Sequence, residues 1–110
     1  PYPSLEEFEA EPFGSSEISI SYYDTDYNQH VNNISYVTWA VESFPKEFLD
    51  KNRPNLMDVK WEKQSFAGDN LYAKTFRKKD GSSFMTKIYR KEEDGSESEV
   101  FTALTEWTDR

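Results

Sequence analysis

The chain carries a single helix-length apolar repeat, and everything after it is punctuated for strands. Residues 56–66, 70–78, 83–91 and 100–108 read as extended segments separated by turn residues. Ala67-Gly68-Asp69 reads as a turn or bulge. Asp80-Gly81 and Asp94-Gly95 are hairpin signals, because glycine supplies the positive φ that a tight turn needs. In 83–91, Phe84, Thr86 and Ile88 alternate with Met85, Lys87 and Tyr89. In 100–108, Val100, Thr102 and Leu104 oppose Phe101, Ala103 and Trp107, while Val59 and Trp61 share one face of 56–66. One further alternating segment, 17–23, precedes the helix, with Ile18, Ile20 and Tyr22 opposite Ser19 and Ser21.

The helix is predicted over 34–44. Val37, Ala40, Val41 and Phe44 fall at i, i+3, i+4 and i+7, one apolar stripe that Tyr36 and Trp39 widen. Asn32 or Asn33 suits the N-cap, since a short side-chain oxygen can accept from a free helix amide. Pro45 opens a second helical turn over 46–51, and Pro54 closes it. One helix and one sheet can satisfy each other only by packing face to face, so the order predicts an α+β domain. A curled antiparallel sheet wrapped around one long central helix is the hotdog fold. With 110 residues there is room for one such domain, over 17–110. Residues 1–16 are expected to be a lead-in. Pro1, Pro3, Pro12 and Gly14 discourage regular structure there, and Glu6, Glu7, Glu9 and Glu11 keep it solvated, as suits an interdomain linker.

Composition narrows the function. The hydrophobic fraction is 35%, but the aromatic fraction is 16%, enough for a thin folded core that a partner can complete. A net charge of -8 argues against nucleic acid, which needs a basic surface. The absence of cysteine excludes disulfides, thiolate metal sites and a cysteine nucleophile, and is compatible with a reducing cytoplasm. One histidine and no cysteine argue against a transition-metal site, and no cofactor is called for. No apolar stretch approaches a membrane span, and the acidic, proline-rich start resembles neither a secretory signal nor a transit peptide. A start at Pro1 reads as a fragment or processed piece.

The unusual stretch is Asp24-Thr25-Asp26-Tyr27-Asn28-Gln29-His30-Val31-Asn32-Asn33, which holds the sole histidine and leads into the helix. A helix N-terminus presents free amides and partial positive charge, which can polarise a carbonyl and hold an oxyanion. A nearby carboxylate and imidazole supply the groups a hydrolysis needs. In extended chain, Asp26, Asn28 and His30 would project to one side. Asp and Asn before a helix also serve as simple caps and Asx-turns, and a lone histidine also serves as scaffold. The residues alone leave both readings open.

Asp26-x-Asn28-x-His30-Val31-Asn32-Asn33, followed by Tyr36, Trp39 and Glu42, resembles the signature in the C-terminal half of acyl-acyl carrier protein thioesterases. Those enzymes contain two hotdog repeats. The resemblance runs over about 15–69. It implies that Asp26, Asn28 and His30 are catalytic, with Val31, Asn32 and Asn33 against the substrate. The family also places Glu followed by Cys on the strand after the helix. Here the matching residues are Gln64 and Ser65. Gln64 can position a water but cannot act as a base. Glu62, on the same strand face, could stand in only through a bulge. Asp58 and Asp69 read as solvated turn or edge carboxylates, and Trp39 and Trp61 as core.

The resemblance thus implies hydrolysis of fatty acyl-acyl carrier protein thioesters to free fatty acid and carrier. The expected partners are the carrier-bound substrate and an N-terminal hotdog domain, or a second copy as a homodimer. The isolated domain is expected to lack full activity. Two other readings remain: a single-hotdog acyl-CoA thioesterase working as a homo-oligomer, and a degenerate hotdog that binds acyl chains or completes an interface. Gln64 favours the last.

Overall fold

A computed structural model describes residues 3–110. Pro1 and Tyr2, the start of the expected lead-in, lie outside them. After a short 3-10 turn over Leu5–Glu7 in the expected lead-in come strand β1 (Gly14–Ile18), helix α1 (Asn33–Glu42) and helix α2 (Lys46–Lys51). Strands β2 (Asn52–Trp61), β3 (Asn70–Arg77), β4 (Phe84–Lys91) and β5 (Glu97–Asp109) follow. They form one sheet in the order β1-β3-β4-β5-β2, antiparallel at every junction. The two Asp-Gly turns form as predicted, with Gly81 at φ 78° and Gly95 at φ 88°. Each turn aspartate accepts from a serine two residues on: Asp80 from the amide and hydroxyl of Ser82, Asp94 from those of Ser96.

The helix is shorter than expected. It spans ten residues, and Phe44 lies beyond its end. Its buried face is also rotated from the predicted stripe. Tyr36, Trp39 and Ala40 are buried, whereas Val37 and Val41 are only half-buried. The large rings decide this, because burying Tyr36 and Trp39 removes more apolar area than burying two valines. Tyr36 stacks on Phe101 at 5.4 Å and meets Trp39 edge-on at 5.7 Å. Leu71, Ala73, Ile88, Val100 and Ala103 complete this core beneath the helix. Phe13, Phe44, Phe48, Phe84 and Trp107 pack at the other end, with Phe44 and Trp107 centred 4.6 Å apart.

The first strand also departs from expectation. It is paired at 14–18 rather than 17–23, because Ser21 and Asp24 close a short 3-10 turn over Tyr22–Asp24 that ends the extended run. Gly14, Ser15 and Ser16, expected in the lead-in, belong to the sheet. The lead-in is not solvated throughout. Phe8 is buried and bridges Lys78, and the amides of Glu9 and Phe13 donate to the carbonyls of Arg77 and Thr75 at 2.8 and 2.7 Å. Apolar Phe8 anchors this stretch despite its acidic neighbours.

Strand β2 starts at Asn52, so Pro54 lies inside it rather than closing α2. Its register shifts between Pro54 and Leu56, and it lies at the edge of the sheet, where a residue without an amide hydrogen is tolerated. It ends at Trp61, not at Phe66. Trp61, expected in the core, is 45% exposed on this edge strand, where Phe101 meets its ring edge-on at 5.7 Å. No helix among the described residues is long and apolar enough to cross a membrane.

Candidate active site

Two irregular segments meet over the end of the sheet, and their pairing builds the site. The first is the polar run. It does not stay extended, so Asp26, Asn28 and His30 are not aligned along a strand. The chain folds back on itself: the Asp26 amide donates to the His30 carbonyl at 2.8 Å, and the Asn32 amide to the Asp24 carbonyl at 2.7 Å. Gln29, at φ 66°, turns the corner in the left-handed region. The Asp26 carboxylate sits at the centre of this turn. Its Oδ1 accepts from the amides of Asn28 and His30 at 2.9 and 3.0 Å, while Oδ2 has no hydrogen-bond partner among the described residues. The side chains of Asp26 and Asn28 are exposed. His30 is half-buried, its ring edge-on to Phe66 at 5.0 Å. Among the described residues no hydrogen bond joins the imidazole to the Asp26 carboxylate.

Asp24 locks the run onto the helix. Its carboxylate accepts from the amide and hydroxyl of Ser21 at 2.8 and 3.0 Å and from the Ser35 hydroxyl at 2.9 Å. Burial acts to raise its pKa. The hydrogen bonds from the Ser21 amide, the Ser35 hydroxyl and the Ser21 hydroxyl outweigh that and hold it below the ordinary carboxylate value. Asn32 is the N-cap residue by position, but its side chain makes no capping bond. Asp24, brought in from the preceding turn, supplies the negative charge there instead. The amides of Asn33 and Ile34 have no protein acceptor among the described residues. They are free donors at the positive end of α1.

The second segment is 62–69, where the chain leaves β2. The Val31 amide donates to the Ser65 carbonyl at 2.9 Å, the Ala67 amide to the Gln29 carbonyl at 3.1 Å, and His30 bridges Phe66. Gln64 lies here, and its side-chain amide donates to the carbonyls of Val31 and Ser65 at 3.3 and 3.2 Å. Val31 is buried in the core with both backbone groups bonded, so only Asn32 and Asn33 of the expected substrate-binding trio face outward. Ser65 is fully buried, its amide donating to the Tyr36 hydroxyl at 3.1 Å and its own hydroxyl without a partner. Its Oγ therefore cannot reach a substrate. Glu62 is paired with Lys60 at 3.7 Å.

The pairing divides the surface. Asp26 lines a cleft of about 590 Å³ with the exposed rings of Tyr22, Tyr23 and Tyr27. Gln64 lines a smaller one of about 170 Å³ with Asn33, Trp61 and Glu62. The structure thus gathers Asp26, Asn28 and His30 into one turn and ties Gln64 to it through the Val31 carbonyl. Sequence reasoning missed three supports: Asp24 with Ser35, Tyr36 beneath Ser65, and Asp69 with Arg90. Asp69 is not simply solvated. Its carboxylate accepts from the Phe66 amide at 2.9 Å and pairs with Arg90 at 3.6 Å.

Known proteins resemble this chain in sequence and fold. A chloroplastic oleoyl-acyl carrier protein thioesterase from Coriandrum sativum is 34% identical over 65 residues, covering 59% of this chain and 18% of that protein. A chloroplastic palmitoyl-acyl carrier protein thioesterase from Cuphea hookeriana is 29% identical over 86 residues, 76% of this chain and 20% of that one. The solved 12:0-ACP thioesterase from Umbellularia californica superposes with a TM-score of 0.78 at 24% identity, covering 93% of this chain and 37% of its own. The chain thus spans about a fifth of the length of these curated relatives. Residues 8–109 match the family model described as the acyl-ACP thioesterase C-terminal domain. The chain belongs to that family, as a hotdog domain with a five-stranded antiparallel sheet.

Proposed function

We propose that the protein containing this domain hydrolyses fatty acyl-acyl carrier protein thioesters to free fatty acid and carrier. The observation that carries this reading is the Asp26 turn, which runs on into two amides at the start of α1 that have no acceptor among the described residues; Asp26 and Asn33 line neighbouring but separate clefts, and the bound thioester would span them. In this reading the free Oδ2 of Asp26 accepts a proton from water as the water oxygen attacks the thioester carbon. The amides of Asn33 and Ile34 take the oxyanion, and Asn32 lies beside the substrate. Asn28 positions the carbonyl or water. The intermediate collapses by breaking the C–S bond, and the proton held by Asp26 reaches the leaving thiolate through an intervening water and His30, since the imidazole and the carboxylate are not bonded to each other. Gln64 acts as a positioning group, since its amide is committed as a donor.

The reading includes a second hotdog, either an N-terminal repeat with the segment ahead of β1 as linker, or a second copy. Strand β2 supports it, because its outer edge is unpaired and Leu56 and Trp61 stand exposed on it. The acyl pocket belongs to that partner in this proposal. A cytoplasmic setting is part of the proposal and rests on the missing cysteines; the matched plant relatives are chloroplastic.

The test is turnover of acyl-carrier and acyl-CoA thioesters by the full-length protein, with Asp26→Ala and His30→Ala. The reading expects preference for the carrier thioester and large losses in both variants. Unchanged turnover in both would overturn the catalytic assignment. Binding of acyl chains without turnover would favour a degenerate hotdog, the reading that Gln64 supports.

A further inference from the structure

Arg90 stands where the alternation of β4 calls for an apolar side chain. Phe84, Thr86 and Ile88 on the same face are buried under the helix, and Arg90 is the next residue of that row. It is paired across the sheet with Leu71, itself buried. A guanidinium is retained on such a face only when its donors are matched. Here Nε and one terminal nitrogen have partners, and every partner belongs to the 62–69 segment or to the turn after β4.

One nitrogen donates to the Gln64 carbonyl at 2.9 Å. The same nitrogen lies 3.6 Å from the Asp69 carboxylate, which in turn accepts from the Phe66 amide at 2.9 Å. Nε donates to Glu92 at 3.1 Å, and Glu92 is itself held by the Ser98 hydroxyl at 2.6 Å. Arg90 thus grips both sides of Ser65: the carbonyl before it directly, and the amide after it through Asp69. Between these grips the Ser65 carbonyl accepts the Val31 amide, and Phe66 lies against the His30 ring. The arginine reaches the segment from the cavity lined by Asp69 and Glu92, which shares no lining residue with the Asp26 cleft.

We propose that Arg90 is a positioning residue of this site. Its guanidinium fixes the 64–66 strip, and the strip fixes Gln64, Val31 and the His30 ring ahead of α1. This rests on the reading that the site hydrolyses thioesters. A planar fork is required, because one side chain must serve a carbonyl and two carboxylates in different directions, which an ammonium does poorly.

The test uses the full-length protein with Arg90→Ala and Arg90→Lys, read by turnover of an acyl-carrier thioester and by amide hydrogen exchange. In Arg90→Ala, exchange at Val31 and Ala67 is expected to rise about tenfold or more while the amides of β5 stay unchanged, a local opening. kcat is expected to fall roughly 10- to 100-fold, as for a displaced catalytic frame, with KM within about threefold. Arg90→Lys should fall between. If Arg90→Ala does not fold, Arg90→Lys carries both measurements. Unchanged exchange at Val31 and Ala67 overturns the clamp. Faster exchange with unchanged kcat overturns the positioning role. If Asp26→Ala keeps full turnover, the thioesterase reading fails separately, and the exchange data still decide whether Arg90 holds the strip.

Discussion

Ser65 offers a sharp trial of the reasoning, because stability and activity are expected to move differently. It stands at the position where the family resemblance leads one to expect a cysteine. It is fully buried, and its Oγ has no hydrogen-bond partner among the described residues. A buried hydroxyl without a partner costs about 1–3 kcal/mol. Ser65→Ala removes that oxygen and keeps the β-carbon. Its backbone bonds, from its amide to Tyr36 and from the Val31 amide to its carbonyl, are untouched. The lost packing is small, about 0.1–0.2 kcal/mol for each contact the oxygen made. The net expectation is a gain of about 0.5–2 kcal/mol. Differential scanning calorimetry of the full-length protein should register this as a rise of about 1–8 °C in the transition that includes this domain. Turnover should stay within about twofold of wild type, since an enclosed Oγ cannot attack a substrate. A fall in stability would mean that the hydroxyl is bonded. A drop in kcat of tenfold or more would mean that it takes part in the chemistry.

Tyr36→Phe should act in the opposite direction. It leaves the buried Ser65 amide without its acceptor, a cost of about 1–3 kcal/mol readable by urea unfolding, and a loss near zero would refute that bond. Gly14→Ala should destabilise by about 1–3 kcal/mol, because a β-carbon there would lie 2.2 Å from the Ser43 carbonyl oxygen; a neutral variant would place β1 differently. Asp24 should contribute to the acid limb of stability. Its folded pKa is depressed below 3.8, so its contribution is complete above that value and lost as pH falls through the folded pKa. Asp24→Asn should therefore destabilise at pH 7 with a cost that shrinks as pH falls below 3.8, and a cost that does not change with pH would refute the assignment.

Much of the fold was legible because its signals are local. Asp80-Gly81 and Asp94-Gly95 fix their hairpins through glycines with positive φ. The polar run and the helix after it could be placed for the same reason. What was not legible depends on contacts across the chain. The rotation of α1 follows from Phe101 offering a stacking surface to Tyr36, a residue 65 positions away. Trp61 reads as core until the sheet order puts β2 at an edge. The early end of β1 did have a local signal, Ser21-x-x-Asp24, which resembles a capping box and closes a turn instead of continuing a strand. Phe8 was hidden by its acidic neighbours.

The site divides in the same way. Asp26, Asn28 and His30 are close in sequence and share one turn, but extended-chain geometry gave the wrong arrangement because an Asx-type turn is available to Asp26. Gln64 was located by resemblance, whereas its bond to the Val31 carbonyl required the two segments to pair. Arg90 left one trace in the sequence, a charge at the next inward position after Phe84, Thr86 and Ile88.

The most direct measurement is the kcat of Asp26→Asn in the full-length protein on an acyl-carrier thioester. Asparagine keeps an oxygen for the amides of Asn28 and His30, so the turn survives while the carboxylate is lost. The kcat is expected to fall about 10²–10⁴-fold with an unchanged unfolding transition. Turnover within about threefold of wild type would contradict it, and would leave the Asp26 turn a structural cap.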